Sequence, residues 1–219
     1  MKHVLLLLTV LVSAIPLQAT VWQVGVSRQY TMPSQVSSLV KNNDTVEIDA
    51  GTYHEDVAHW TANNLLLQGV GGMAYLKSNG KSFGQKAIWV IGGANTRVAF
   101  IEFAECAVPD RNGAGIRLEA ANLTVHGCYF HDNEDGILAG DNPESDILIE
   151  YSEFSHNGNG DGQSHNLYIN HVHSLTFQYN YSHHTKVGHE LKSRAYNNYI
   201  LYNRLSNEAD GTASRNIDL

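Results

Sequence analysis

Two short segments of the sequence, residues 162–170 and 187–194, carry the side-chain types that proton transfer requires. Aligning Leu167 with Leu191 sets His165 beside His189. Alternate residues of a strand point to opposite faces, so if both leucines point inward, their polar neighbours share one outward wall. The residues predicted to form this wall are Asn166, Tyr168, Asn170, Glu190, Lys192 and Arg194.

These residue types suit β-elimination in a polymer of uronic acids. That reaction needs a group that neutralises the sugar carboxylate, a base for the adjacent C–H proton, and a donor for the leaving oxygen. Lys192, Tyr168 or His165 can serve as the base. Arg194 can hold the carboxylate through a bidentate contact. We therefore predict these four residues as catalytic.

Further positions near this wall are predicted to bind substrate. Arg117 lies two repeats before Tyr168 on the same face, and His189 lies beside His165. The other predicted binding residues are Asn166, Asn170 and Glu190. The competing interpretation is a solvated face with weak ion pairs, which is the usual role of exposed charges.

Acidic turns provide a second candidate chemistry, hydrolysis, which needs two carboxylates flanking the scissile bond. Asp132, Glu134, Asp135 and Asp161 are available, but the spacing singles out no pair. Asp and Asn oxygens in these turns can also hold Ca²⁺, and histidines there can ligate a transition metal. Turn formation explains the same residues better, so no metal ligand is predicted.

The elements that position these residues are two ladders of short apolar segments, with steps of 21 to 30 residues between members. The first ladder starts at Ile88, Ile116, Ile137, Leu167, Leu191 and Ile217, and the second at Val98, Leu123, Ile147, Leu175 and Tyr199. Most runs are too short for helices, and several alternate with a strand period. Turns rich in Gly, Asn and Asp leave no room for crossover helices, so the chain must wind. This predicts an all-β, right-handed parallel β-helix.

Residues 44–53, Asp-Thr-Val-Glu-Ile-Asp-Ala-Gly-Thr-Tyr, resemble the opening coil of right-handed β-helix proteins of the pectate-lyase-like superfamily. The resemblance extends from about Trp22 to the end. It implies a polysaccharide-active protein, because lyases of this broad family use Lys, Arg, His or Tyr on an outward sheet. The Arg-x-Pro-x-x-Arg pattern of pectate lyases is absent, so pectate itself is not indicated.

The N-terminal part is predicted to hold a leader and a cap. Residues 1–19 combine a polar start, an apolar run and a small-residue end, which is typical of a cleaved signal peptide for periplasmic export or secretion. Residues 20–219 then form a single domain. Pro33 starts a predicted short helix, with Val36, Leu39 and Val40 on the face that caps the hydrophobic column. Residues 217–219 are predicted to form a strand with an uncovered edge. We therefore expect either an incomplete C-terminus or a partner that covers this edge.

Charge restricts the partners. The formal net charge is −8, and removal of a leader with one lysine makes it −9. Nucleic acid is therefore excluded as an expected partner, and no membrane association is expected after leader removal. An acidic polysaccharide, the predicted partner, can bind only at a local basic patch. The alternatives are a non-catalytic glycan-binding or surface-structural protein and a glycoside hydrolase.

Cysteines and tyrosines allow fewer conclusions. Cys106 and Cys128 can equally form a disulfide or remain buried thiols. Tyr179 and Tyr202, each followed by Asn, occupy equivalent positions and are predicted to serve packing rather than binding.

Overall fold

The computed structural model describes residues 19–219, so residues 1–18 of the predicted signal peptide lie outside the described part. No helix within residues 19–219 combines the length and apolar character needed to cross a membrane.

The described chain is built almost entirely from short strands. In order, the elements are β1 (Val21–Val24), α1 (Ser34–Ser37), β2 (Thr45–His54), β3 (Ala58–Trp60), β4 (Leu66–Lys77), β5 (Ala87–Ile91), β6 (Thr96–Ala99), β7 (Ile101–Ala104), β8 (Ala114–Leu118), β9 (Leu123–His126), β10 (Tyr129–His131), β11 (Asp135–Ala139), β12 (Asn142–Glu150), β13 (Glu153–Ser155), β14 (Leu167–Ile169), β15 (Val172–Gln178), β16 (Tyr181–His183), β17 (His189–Ser193), β18 (Asn197–Leu201), β19 (Arg204–Ser206) and β20 (Arg215–Asp218).

These strands wind into a parallel solenoid with three faces. The first face contains β6, β9, β12, β15 and β18, and the second contains β7, β10, β13, β16 and β19. The long strands β2 and β4 bend and contribute to both. The third face contains β3, β5, β8, β11, β14, β17 and β20. The predicted all-β parallel solenoid is confirmed.

The core is a continuous column of inward side chains, because no single coil can bury its apolar residues alone. Phe103, Phe130 and Phe154 stack at its centre, with ring centroids 4.9 Å apart at each step and nearly parallel planes. All three are fully buried. Strand alternation thus provides each coil with a buried side and an outward side.

The strand register along both ladders agrees with the sequence prediction except near the ends of the ladders. The predicted partner of Ile116 is Ile88, but Ile116 lies opposite Trp89. Tyr199 pairs with Thr176 and is 52% exposed, while Ile200 takes the inward position beside Phe177. These two errors are one-residue slips, which assign a strand's side chains to the opposite face. Val98 pairs with Val125 and not with Leu123 as predicted, a two-residue slip that keeps the buried side.

All three corners use residues in the left-handed region. Between the third and first faces, Asn43, Asn64, Asn95 and Asn122 have φ between 58 and 73°. The Asn122 amide donates to Asn95, the Asn95 amide donates to Asn64, and the Asn64 amide donates to Asn43. Asn tolerates this conformation better than most residues. The corner between the first and second faces instead carries aromatic residues, described below.

The corner between the second and third faces contains longer loops and a buried ladder of amides. Asn133 donates to Asn157, and Asn157 donates to Asn166. The Asn166 amide then donates to the Glu190 carboxyl at 2.6 Å. All four side chains are at most 2% exposed. This ladder satisfies backbone groups that the loops would otherwise leave unpaired.

Near the N-terminus, α1 is a single turn with Val36 fully buried. Val40 is also buried, but Leu39 is 42% exposed, so the predicted three-residue apolar face is wrong at Leu39. Its capping role stays a prediction. Cys106 and Cys128 are free and buried, and burial raises the pKa of each thiol to about 12.

Candidate functional site

An outward column runs along the third face at the positions where chemistry was predicted. Parallel pairing sets Arg117 opposite Leu138, Leu138 opposite Tyr168, Tyr168 opposite Lys192, and Lys192 opposite Asp218. The predicted alignment of Tyr168 with Lys192 is therefore confirmed. Whether these residues act on a substrate stays a prediction.

Lys192 is the centre of this cluster. Its Nζ lies 4.5 Å from the centroid of the Tyr168 ring. The same Nζ lies 3.2 Å from His165 Nε2. The Tyr168 hydroxyl donates to Asn170 Oδ1 at 3.2 Å, which orients the ring. Lys192, Tyr168 and Asn170 are all partly exposed, so the structure brings three predicted residues together on an accessible surface.

His165 lies beneath this surface and is fully buried. Burial, together with the charges of Lys192 and His189, lowers the pKa of His165 to about 3. The imidazole is therefore neutral at neutral pH. Its Nδ1 accepts the His189 backbone N–H at 3.1 Å, which leaves the proton on Nε2.

This tautomer determines the nature of the contact with Lys192. A protonated Nε2 is a donor, so its contact with Nζ is a hydrogen bond when Lys192 is a free amine. With an ammonium at Nζ, two donors would face each other. Because His165 has no exposed surface, it positions Lys192 and does not itself reach a ligand.

His189 packs against His165, with ring centroids 4.7 Å apart and planes 20° from parallel. Burial lowers the pKa of His189 as well. Its Nδ1 is buried and has no hydrogen-bond partner among the described residues. His189 is partly exposed, at the edge of the cluster.

Arg194 extends the wall beyond Lys192 but is already engaged. Its Nη2 bonds Asp218 Oδ2 at 2.8 Å, and its Nη1 donates to the Ser193 and Asp218 backbone carbonyls. The bond from Arg194 lowers the pKa of Asp218. A ligand carboxylate at Arg194 can therefore use only the N–H groups that these three bonds do not occupy.

Two predicted wall residues are wrong. Asn166 and Glu190 are fully buried and belong to the internal amide ladder, so neither lies on the outward wall. Glu190 also accepts from the Thr185 hydroxyl at 2.8 Å. Strand alternation holds from Leu167 and Leu191 onward, but these two residues precede that point, where the chain leaves the corner.

Arg117 lies on the predicted face but not in the cluster. Three inter-strand steps separate it from Lys192, which corresponds to about 14 Å. Its Nε is buried with no partner in residues 19–219. Leu138, the intervening outward residue, is only 9% exposed, so this end of the wall is covered.

A cleft of about 200 Å³ adjoins Tyr168 on that side. Asp135 and Asp161 both line it, and their carboxyl groups differ in environment. Burial raises the pKa of Asp135 well above its ordinary value. A backbone N–H from Gln163 lowers the pKa of Asp161. Separation of two carboxyl pKa values in this way is typical of acid and base pairs.

The other two predicted acids have structural roles. Glu134 accepts the backbone N–H groups of Val108 and Gly113 at 2.9 and 2.7 Å. Asp132 is bound by His131 and Lys186. Among the described residues, no group of three or more His, Cys, Asp or Glu side chains is arranged to hold a metal ion.

Sequence reasoning missed Asp110, Arg111 and Gln163, which also line the cleft. They lie on long loops between the second and third faces, outside both ladders. The available signals were the 28-residue step between Ile88 and Ile116 and the 30-residue step between Ile137 and Leu167, which mark longer loops at these positions.

The parallel coils and their outward polar wall place the chain in the class of all-β solenoid proteins. The chain belongs to the right-handed β-helix family, since the family model described as "Right handed beta helix region" matches residues 53–215. No curated protein matches the chain, and no solved structure matches it either.

Proposed function

We propose that this chain is an exported protein that cleaves a uronic-acid-containing polysaccharide by β-elimination on its third face. The observation that carries the proposal is the contact between His165 Nε2 and Lys192 Nζ beside the Tyr168 ring. This contact holds the Lys192 amino group at the outward surface beside a phenol, which are the two groups that the proposed proton transfers need.

The proposed reaction assigns one role to each accessible residue. Lys192 Nζ takes the proton from the carbon next to the sugar carboxylate. The released electron pair forms a carbon–carbon double bond, and the bond to the glycosidic oxygen breaks. The Tyr168 hydroxyl gives its proton to that leaving oxygen. Lys192 then releases one proton to solvent and the Tyr168 phenolate takes one up from solvent, which restores both groups. Atoms and charges balance without a further reactant.

Arg194 is the proposed partner of the substrate carboxylate. It lies two residues from Lys192 on the same outward side, and its side chain is 32% exposed. A guanidinium has five N–H donors, so it can bind a second carboxylate while Asp218 holds Nη2. Neutralising the substrate carboxylate makes the adjacent C–H more acidic.

Export and substrate charge complete the proposal. Residues 1–19 have the composition of a signal peptide, which supports a periplasmic or secreted protein. Because the net charge is −8, an acidic glycan needs a local cation to bind, and Arg194 is the proposed one on this face.

Ultraviolet absorbance of the unsaturated product tests the proposal. The mature protein is incubated with alginate, pectate and glycosaminoglycans, with and without Ca²⁺. We expect Lys192→Ala to lower the rate by about 10²–10⁴-fold, the range for loss of a general base. Lys81→Ala, which removes an exposed lysine distant from this wall, is the matched control. An absence of product from every polymer, or full activity in Lys192→Ala, contradicts the proposal.

Binding without turnover in the same experiment supports the alternative of a non-catalytic glycan-binding protein. Lys192→Ala and Arg194→Ala should then weaken binding of the acidic polymer. In that case neither the wild type nor any variant forms the unsaturated product.

Hydrolysis is a second candidate, favoured by the cleft carboxyls. Asp135 would be the protonated acid and Asp161 the ionised base. A glycosidase releases reducing ends without the unsaturated product. We expect Asp135→Asn and Asp161→Asn to abolish that release, whereas Asp141→Asn, an exposed control, leaves it intact. Reducing ends that persist in both cleft variants exclude this candidate.

A further inference from the structure

The corner between the first and second faces carries a column of exposed tyrosines. Tyr151, Tyr179 and Tyr202 are 56, 44 and 78% exposed. Their ring centroids are 5.0 and 5.2 Å apart, and the planes are within 11° of parallel. Successive coils thus present one phenol ring each, in a straight row. We call these three residues the tyrosine column.

The tyrosine column forms one wall of a groove whose volume is about 600 Å³. Outward side chains of the second face form the opposite wall, and small polar residues form the floor. These lining residues include Tyr129, Ser152, Glu153, Asn180, Tyr181 and Arg204. The groove lies on different faces from Lys192 and is a separate site.

The groups offered to a ligand are hydroxyls more than ring faces. Within the column, the rings cover one another. On the opposite wall, Tyr181 stacks on His183 and lies under the Arg204 guanidinium. The Tyr181 hydroxyl is bound to Glu208. By contrast, none of the three column hydroxyls has a hydrogen-bond partner among the described residues.

The fold does not require tyrosine at these positions. The φ angles of the three residues are 51–56°, in the left-handed region where Gly or Asn is favoured. Gly127 occupies the equivalent corner of an earlier coil with φ 60°. Ring stacking offsets part of the backbone strain, but stacking needs no hydroxyl.

We propose that this groove binds an extended, neutral oligosaccharide. Each unit of such a chain carries several hydroxyl groups, so each of the three column hydroxyls can meet a donor or acceptor along its length. A polyproline helix repeats every three residues, or about 9 Å, and therefore does not match the spacing of the tyrosine column. A peptide strand repeats a side every two residues, or about 6.6 Å, and does not match either.

Charge determines the class of sugar. Glu153 is 46% exposed at the groove wall, and Arg204 is paired with Glu208. Glu208 neutralises Arg204 and Glu153 adds a negative charge, so the groove lining has no net positive charge, which disfavours uronic acids. This site is accordingly expected to hold a neutral part of a glycan, while the acidic part is bound on the third face.

The test uses cellohexaose and mannohexaose as neutral probes, measured by calorimetry. The variant Tyr151→Phe/Tyr179→Phe/Tyr202→Phe removes the three hydroxyls and keeps the rings. Loss of three hydrogen bonds should weaken binding of at least one probe by about tenfold or more. Thermal unfolding of this variant should match the wild type, because the stack is preserved.

Two controls isolate the groove. Tyr199→Phe removes an exposed hydroxyl on the first face and should not alter binding. Lys192→Ala should leave binding intact, so the proposed lyase and this site can fail independently. The proposal is overturned if neither probe binds, if the triple variant binds as the wild type, or if a proline decamer or hexagalacturonate binds the groove more tightly.

Discussion

His165 is an imidazole that the fold keeps neutral. It is buried beneath Tyr168 and Lys192, and its Nδ1 is occupied by a backbone N–H. Protonation would place a cation beside Lys192 in a site with no solvent. The result is a residue that orients a lysine without contacting a ligand, and its environment has a consequence for stability.

Acid should destabilise the protein partly through His165. Its folded pKa of about 3 lies below the ordinary 6.5, so the unfolded chain binds more protons between these values. The contribution is fully present above pH 6.5 and is lost as pH falls towards 3. Between pH 7 and pH 5 the folded state should lose about 2 kcal/mol from this residue.

Urea unfolding at both pH values measures this effect. His165→Gln cannot titrate, so its stability should fall less than that of the wild type over the same interval. His173→Gln, which removes an exposed histidine, is the control. Equal losses in wild type and His165→Gln would show that His165 is not kept neutral.

At this scale, the sequence predicted the neighbours of Lys192 but not the depth of each residue. Tyr168 and Lys192 pair as expected because strand alternation applies to both. Asn166 and Glu190 were assigned outward by extending the same alternation to the residue before β14 and to the start of β17, where Glu190 and Leu191 are both buried. There the backbone turns, and inward amide hydrogen bonds determine the side-chain direction.

Among the elements, the internal amide ladder holds the loops of the candidate site in place. Asn157 accepts the Asn133 backbone N–H and donates to the Phe130 carbonyl. It is fully buried, so no water replaces these bonds. We expect Asn157→Ala to lower the free energy of unfolding by about 1–3 kcal/mol.

The matched control for Asn157 is Asn42. Asn42 is exposed and accepts one backbone N–H, from Asn63 at 2.8 Å. Water can replace that bond, so Asn42→Ala should change stability by less than about 0.5 kcal/mol. Chemical denaturation compares the two. Similar losses would mean that burial does not determine the cost.

Close packing around Gly188 connects the same loops to His165, which contacts Lys192. A Cβ at Gly188 would lie 2.1 Å from the Ser164 carbonyl oxygen and 2.9 Å from His165 Nδ1. Gly188→Ala should therefore cost about 1–3 kcal/mol and displace the imidazole. At Gly140 the nearest atom is 3.6 Å away, so Gly140→Ala should be nearly neutral. Unfolding midpoints and imidazole NMR shifts check both, and an unshifted His165 signal in Gly188→Ala would contradict the contact.

Elements were predictable where the repeat is regular. Ile137, Leu167 and Leu191 fall in register because inward apolar residues repeat in each coil. The cleft beside Asp135 was not predictable, because its other wall is formed by loops whose length varies between coils. Loop residues carry no period, so their fold-back depends on contacts between distant parts of the chain.

At the scale of the whole molecule, the stabilising contacts run from coil to coil along the solenoid axis. Each coil contacts the coils before and after it, so the free energy of unfolding is close to a sum of coil and interface contributions. The stacked phenylalanines connect neighbouring coils directly, with Phe130 between Phe103 and Phe154. A defect at Phe130 should therefore weaken two interfaces at once.

Phe130→Ala should cost about 3–5 kcal/mol, since it removes a fully buried ring and leaves a cavity. In a solenoid the loss should be local, so amide hydrogen exchange should accelerate most in β7, β10 and β13. Strands β2 and β3, several coils away, should remain closer to wild-type protection. Leu39→Ala, an exposed apolar control, should leave both regions unchanged. Uniform acceleration over every strand would mean that the coils unfold as one cooperative unit, and nearest-neighbour additivity would then fail for this protein.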